Sequence, residues 1–213
     1  VTAMYCHHTS NSQLWFCTTG YINRAYVSMP ASEFAPVSGL SSVCGPVAEF
    51  NGSLYAGTDD GLFESYTDGS GARRFKRTGS QGIRVYDLKT TRLSGDNILI
   101  AATDKGLLQT DSDDNLTRYL PGMRFTSIRF SDNDPRVIIA GSDDGTVREL
   151  KYDGFQWDVY NQLFTGMKGI VTDIEQSSSG EWWIITSDPS SLVRMHCEPG
   201  DTTFNLYGRD QWV

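Results

Sequence analysis

One short phrase returns five times along this chain and constrains its fold more than any other feature. The clearest copy is Ser53-Leu54-Tyr55-Ala56-Gly57-Thr58-Asp59-Asp60-Gly61-Leu62-Phe63: an apolar run, an acidic turn with glycine, then a second apolar run. Close copies are Ile98-Leu99-Ile100-Ala101-Ala102-Thr103-Asp104-Lys105-Gly106-Leu107-Leu108 and Val137-Ile138-Ile139-Ala140-Gly141-Ser142-Asp143-Asp144-Gly145-Thr146-Val147. Looser ones begin at Gln13-Leu14-Trp15-Phe16 and at Trp182-Trp183-Ile184-Ile185. The hydroxyl residues Thr18, Thr58, Thr103, Ser142 and Thr186 mark the repeat, at steps of 40, 45, 39 and 44 residues.

A strand-built repeat of that period predicts propeller blades. Each unit parses into four strands, a to d from the inside outward. The second unit, for example, reads Ser42 to Phe50, Leu54 to Thr58, Leu62 to Tyr66 and Ala72 to Thr78. The b runs are continuously apolar, as a strand buried on both faces requires. The d runs mix charge with aromatics (Arg73-Arg74-Phe75-Lys76; Trp157-Asp158), which suits a half-exposed edge that must not pair with other molecules. Asp60-Gly61, Lys105-Gly106 and Asp144-Gly145 are turn signals between b and c, and Asn51-Gly52 and Gly95-Asp96-Asn97 between a and b. Helical periodicity is absent. The expected fold is all-β: one propeller domain over residues 1–213, of about five four-stranded antiparallel blades near 1–40, 41–80, 81–122, 123–165 and 166–213. It is either a closed five-bladed ring or part of a larger ring. Closure is the preferred reading, because an open arc exposes two apolar blade faces.

Bulk properties exclude several function classes. The net charge is −8 and the only basic cluster is Arg73-Arg74-Phe75-Lys76-Arg77, so nucleic acid is not an expected partner. No run of about 18 apolar residues is present, so no membrane span is expected in this segment. The chain opens at Val1 without a secretion signal, which suggests a processed product or a piece of a longer polypeptide. Cys6, Cys17, Cys44 and Cys197 fit no zinc spacing. They read as buried thiols, with a disulfide as the alternative, and the compartment stays open.

The blade Leu54 to Phe63 resembles the two-component regulator propeller repeat: an apolar–aromatic pair, Gly-Thr, then a Gly-apolar strand. Trp15-Phe16 and Trp182-Trp183 are similar to the aromatic pair of that motif. The fourth unit also resembles the Trp-Asp repeat through Ser127-Ile128-Arg129-Phe130-Ser131 and Gly141 to Val147, but it ends in Arg148-Glu149-Leu150 instead of Trp-Asp. Ser112 to Thr117 and Glu198 to Thr203 are similar, in degenerate form, to the Asp-box turns of sialidase-like propellers. These resemblances imply a scaffold shared by many chemistries. The regulator likeness implies a sensor or interaction module of a larger protein, which would place it in the periplasm or outside the cell.

Site candidates follow from blade geometry. The b–c turns carry Asp59, Asp60, Asp104, Asp143, Asp144 and Asp188, and in a propeller these turns share one face with the d–a connections at the channel mouth. They form an expected acidic rim for a ligand or partner, although Asp is also simply a good turn residue. Arg84 and Arg129 fall in innermost strands and are candidate channel-lining groups, otherwise paired to Asp87 or Asp173. His7-His8 point to opposite faces of a strand and cannot chelate one ion together. Trp15, Trp182 and Trp183 are expected in the wedge between blades, and Trp157 and Trp212, on outer strands, as contacts for a partner. No nucleophile elbow or paired-acid frame is present. The expected function is non-catalytic binding of a protein, small ligand or glycan at the channel mouth, with no cofactor and no metal. The alternatives are a glycan-binding lectin or degenerate Asp-box glycoside hydrolase, and a structural propeller of a viral or cell-surface assembly.

Overall fold

The computed structural model describes residues 3–7, 13–18, 21–26, 35–36, 38–40, 43–188, 192–198 and 201–207, with side-chain burial for 22, 38–40, 43–188, 192–196, 203 and 205. The described residues hold strands and no helix, arranged in four-stranded antiparallel sheets that follow one another along the chain. The first contains β1 (Ala3–His7), β2 (Gln13–Thr18), β3 (Tyr21–Tyr26) and the two-residue β4 (Ala35–Pro36). The second contains β5 (Cys44–Phe50), β6 (Ser53–Thr58), β7 (Gly61–Thr67) and β8 (Arg73–Arg77). The third contains β9 (Val85–Leu93), β10 (Asp96–Thr103), β11 (Gly106–Thr110) and β12 (Leu116–Tyr119). The fourth contains β13 (Ser127–Phe130), β14 (Val137–Gly141), β15 (Val147–Tyr152) and β16 (Trp157–Phe164). The fifth contains β17 (Val171–Gln176), β18 (Trp182–Thr186), β19 (Leu192–Glu198) and β20 (Asp201–Tyr207). Within each sheet the strands pair in chain order, so every sheet is a meander.

The expected burial of the b strands on both faces is met in the middle sheets. In β6, Leu54 and Ala56 pack toward the first sheet with Ile22 and Cys44, while Tyr55 packs toward the third with Leu99 and Ala101. In β10, Ile98, Ile100 and Ala102 point the other way, into a core shared with Phe125, Ile138 and Ala140 of the fourth-sheet region. Ile139 of β14 joins Val171, Ile174, Trp182 and Ile184 of the fifth. The period-2 alternation of a strand thus distributes one apolar run between two separate cores. Each sheet serves as a slab between its neighbours. The innermost strands β1, β5, β9, β13 and β17 touch in that order. No comparable contact joins β17 to β1, so the described residues form no closed ring.

Two turn readings change. The hairpin between β9 and β10 is Ser94-Gly95, closed by the Leu93–Asp96 pair, rather than 95–97. Both turn residues have positive φ (53° and 101°), matching the twist that favours such two-residue loops. The glycine after the acidic turn is also not at the turn centre in the second and third sheets, whereas Gly145 stays inside its turn, between the bonded Ser142 and Thr146. Thr103 pairs with Gly106, so Asp104-Lys105 forms the loop and Gly106 opens β11. A Cβ at Gly106 would sit 2.3 Å from the Tyr119 carbonyl oxygen, and one at Gly145 would sit 2.1 Å from that of Met167. With φ of 104° and 71° besides, these positions need glycine because the chain of the outer strand, or of the connection after it, presses on them.

Candidate functional site

The marker hydroxyl builds the b–c turn. Thr103 Oγ1 donates to the Gly106 carbonyl (2.7 Å) and accepts the Lys105 N–H (3.0 Å). Thr58 does the same with the Gly61 carbonyl (2.9 Å) and the Asp60 N–H (3.1 Å), and Thr186 with Asp188. A hydroxyl can donate and accept at once, which suits Thr at this place; in the fourth sheet Ser142 Oγ instead accepts from Arg148 (2.9 Å).

The acidic turns then bind the connections between sheets, Asp60 the one after its sheet, and Asp104, Asp143 and the fifth-sheet turn the one before. Asp60 Oδ1 accepts the Gly82 N–H (3.2 Å) and its other oxygen pairs with Arg77. Asp104 Oδ1 accepts the Arg84 N–H (2.9 Å), and Asp143 pairs with Arg124 (2.7 Å). Asp144 Oδ1 accepts the Thr146 N–H (2.9 Å) inside its own turn. In the fifth sheet Ser187 and Ile170 exchange bonds (2.8 and 3.0 Å), and Asp188 lies in the same turn. These contacts gather the b–c turns and d–a connections on one face. The expected rim is therefore assembled from the second to the fifth sheet, but most of its acids are engaged with the protein. Asp59 is exposed, and its side chain has no partner among the described residues. Arg84, Arg124 and Lys105 stand between the acids, so the rim is mixed in sign rather than a plain acidic ring.

The arginines and tryptophans need correction. Arg84 lies one residue before β9, exposed, with its guanidinium 5.1 Å from the centre of the Tyr86 ring. Arg129 is in β13, and its partners are Asp132 (2.9 Å) and Glu175 (3.2 Å), not Asp87 or Asp173. The two arginines do not converge on one point through any shared contact. Asp87 instead accepts the Ile128 N–H (3.0 Å) and pairs with Lys89 (3.1 Å); burial pushes its carboxyl up. Trp157 is 1% exposed, so it is not a surface contact. Its ring packs on Tyr152 and Phe130, and Nε1 donates to Gln109 Oε1 (3.0 Å), tying the fourth sheet to the third. The exposed aromatics nearby are Tyr160, in β16, and Phe155, in the turn before it. Trp182 is buried as expected. Trp183 is half-buried, with Arg194 5.9 Å from its ring centre. Cys44 is buried. Trp212 and His8 lie outside the described residues, as do the side chains of Trp15, Cys6, Cys17 and Cys197.

One concavity was missed in the sequence. Glu49, Asn51, Gly52, Thr90, Thr91 and Asn97 line a cleft of about 300 Å³ between the second and third sheets. It sits at the a–b hairpins, on the face opposite the rim. Only the joint placement of two hairpins from different repeats creates it, and no local pattern signals that. Among the described residues no group of His, Cys, Asp and Glu is placed to hold a metal, and no helix is long and apolar enough to cross a membrane.

No protein-family model matches the chain, and no curated protein does. Solved structures do match. The chain is similar to the extracellular domain of a hybrid two component system from B. thetaiotaomicron, at TM-score 0.72 and 17% identity, over 99% of this chain and 28% of that one. It is similar to the Swd1 β-propeller domain of Myceliophteria thermophila at TM-score 0.66 and 12% identity, over 96% and 70%. It is also similar to virginiamycin B lyase from Staphylococcus aureus at TM-score 0.68 and 11% identity, over 94% and 68%. At these identities the likeness establishes a propeller-type fold. The chain spans little more than a quarter of the extracellular domain it matches.

Proposed function

We propose that this chain is a non-catalytic binding segment of a propeller, serving as a sensor or interaction module, with its ligand or partner at the rim of b–c turns and d–a connections. The observation that carries the reading is the rim itself: backbone and side chains from successive sheets meet there in one polar, mixed-charge surface, with the exposed Asp59 and Arg84 among them. The similarity to an extracellular two component domain supports a sensor role outside the cytoplasm. The sheets are read as blades of one propeller ring.

The rival is a glycan-directed lectin or hydrolase, kept in view by the similarity to a lyase. A panel of neutral and charged oligosaccharides, titrated with the folded protein, separates the two. Binding retained by Arg129→Ala but lost in Asp59→Asn, Asp104→Asn supports the rim. Hydrolysis, or binding abolished only by Arg129→Ala with the fold intact, overturns it in favour of the rival.

A further inference from the structure

The fifth sheet carries a face that the second, third and fourth sheets do not leave open. In β6, β10 and β14 the residues directed at the following sheet include Tyr55, Ile100 and Ile139, which are 2%, 0% and 3% exposed. Counted back from the marker hydroxyl, Trp183 holds that position in β18 and is only half-buried. Two residues on, Gly57, Ala102 and Gly141 face the following sheet; their counterpart Ile185 is 46% exposed. The apolar run of β18 therefore has the composition of a strand buried on both faces but is covered on one.

Two polar groups repeat the same asymmetry. Asp87 and Asp173 occupy one position: each lies beside a register shift in its innermost strand, opposite Ala102 and Ile185 respectively. Each accepts the N–H of the next residue, Leu88 (2.8 Å) or Ile174 (3.0 Å). Asp87 uses its second oxygen for the Ile128 N–H of the following innermost strand (3.0 Å), whereas Asp173 is exposed with no such partner among the described residues. Likewise the Thr126 hydroxyl donates across to the Val171 carbonyl (2.6 Å), while Thr172, at the equivalent site, reaches only the Ile185 carbonyl of its own sheet (3.2 Å). An acceptor for an N–H and a donor for a carbonyl thus flank an uncovered apolar strip.

We propose that this face docks the innermost strand of a further blade belonging to the same polypeptide. The chemistry it requires is that of a strand edge, not of a small ligand: one backbone N–H for Asp173, one backbone carbonyl for Thr172, and apolar side chains against Trp183 and Ile185. Gly57 and Gly141 leave room for Val85 and Val171, whose methyls lie where a Cβ would be. Ile185 fills that room itself, so the incoming strand carries a small residue, glycine or alanine, opposite it. Ring size agrees. The five sheets span 70% of the Swd1 β-propeller domain, and a ring that adds blades to five stays within the usual range of four to eight.

The test is made on the native polypeptide that carries this chain, with a photo-crosslinking phenylalanine analogue at position 185 and adducts mapped by mass spectrometry. The expected adduct joins position 185 to a residue outside 1–213 in the same monomer. An adduct to residues 3–7 would mean a five-bladed ring, an adduct between two copies would mean a dimer, and no adduct would mean an open face; each overturns the proposal. Thiol labelling of Thr172→Cys provides a readout that does not depend on the analogue. Its rate is expected to be at least about tenfold below that of Phe155→Cys, at a residue 86% exposed, and equal rates overturn the proposal.

Discussion

The contact between Gly141 and Val171 offers a sharp test of how consecutive sheets dock. A Cβ at Gly141 would lie 2.2 Å from Val171 Cγ1 and 2.5 Å from its Cβ. The backbone at Gly141 is not in the left-handed region, so alanine meets no conformational penalty there. The cost is therefore steric. Val171 is fully buried and its branched side chain has little rotameric freedom, so relief requires the sheets to separate. Overpacking of this kind costs about 1–3 kcal/mol, against about 0.4–1 kcal/mol regained because alanine restricts the unfolded chain. Gly141→Ala should thus destabilise by about 1–2 kcal/mol. Val171→Ala alone should cost about 2–3 kcal/mol, from roughly 0.8 kcal/mol per buried methylene plus the cavity left behind. In the double variant the clash with Cγ1 is gone but the new methyl still meets the Cβ of residue 171, so relief is partial. The expected double-variant cost is then about 3 kcal/mol, against about 4 kcal/mol for the sum, a coupling of about 1 kcal/mol. Urea unfolding of the four proteins, compared at equal m-values, measures this. Additivity within about 0.5 kcal/mol would refute the close docking of β14 on β17.

Three further outcomes follow from contacts already described. Thr103→Val removes a buried hydroxyl that closes the Asp104-Lys105 turn and should cost about 1–3 kcal/mol in urea unfolding, with Thr103→Ser close to wild type. Trp157→Phe should lose about 1–3 kcal/mol, because the Gln109 side chain is left without its indole partner; rim binding should be unchanged, and loss of binding at full stability would return Trp157 to the surface. Asp87 supplies a pH test. Burial raises its carboxyl above the unfolded value, so the folded state favours the neutral acid. That contribution is present below the unfolded pKa, about 3.9, and is lost as pH rises through the folded value. Wild type should therefore lose stability relative to Asp87→Asn as pH rises through the carboxylate range. A difference that stays flat, or grows in favour of wild type, contradicts this burial.

Much of the fold was legible because propeller strands are defined locally. In the second unit the runs 42–50, 54–58, 62–66 and 72–78 meet β5 to β8 within two residues at each end, since an apolar run bounded by turn residues leaves little freedom. The b–c turns were legible for the same reason: hairpin turns end where strands end. What was hidden depends on neighbours in space. Trp157 is on an outermost strand, where the pattern predicts exposure, but its ring reaches inward to Gln109, 48 residues earlier in the chain. The partners of Arg129 depend on which charges the adjoining sheet presents, and Glu175 lies 46 residues away. Ring closure depends on the sum of small rotations between sheets, which no single repeat encodes.

The most direct test of the binding surface is hydrogen exchange with mass spectrometry, comparing the protein alone and saturated with the tightest-binding oligosaccharide of the panel. The account predicts new protection at residues 59–60, 82–84, 104–105 and 143–144. Protection confined to the opposite hairpins, at 49–52, 90–91 and 97, would show that the cleft between the second and third sheets is the binding site and would contradict the rim.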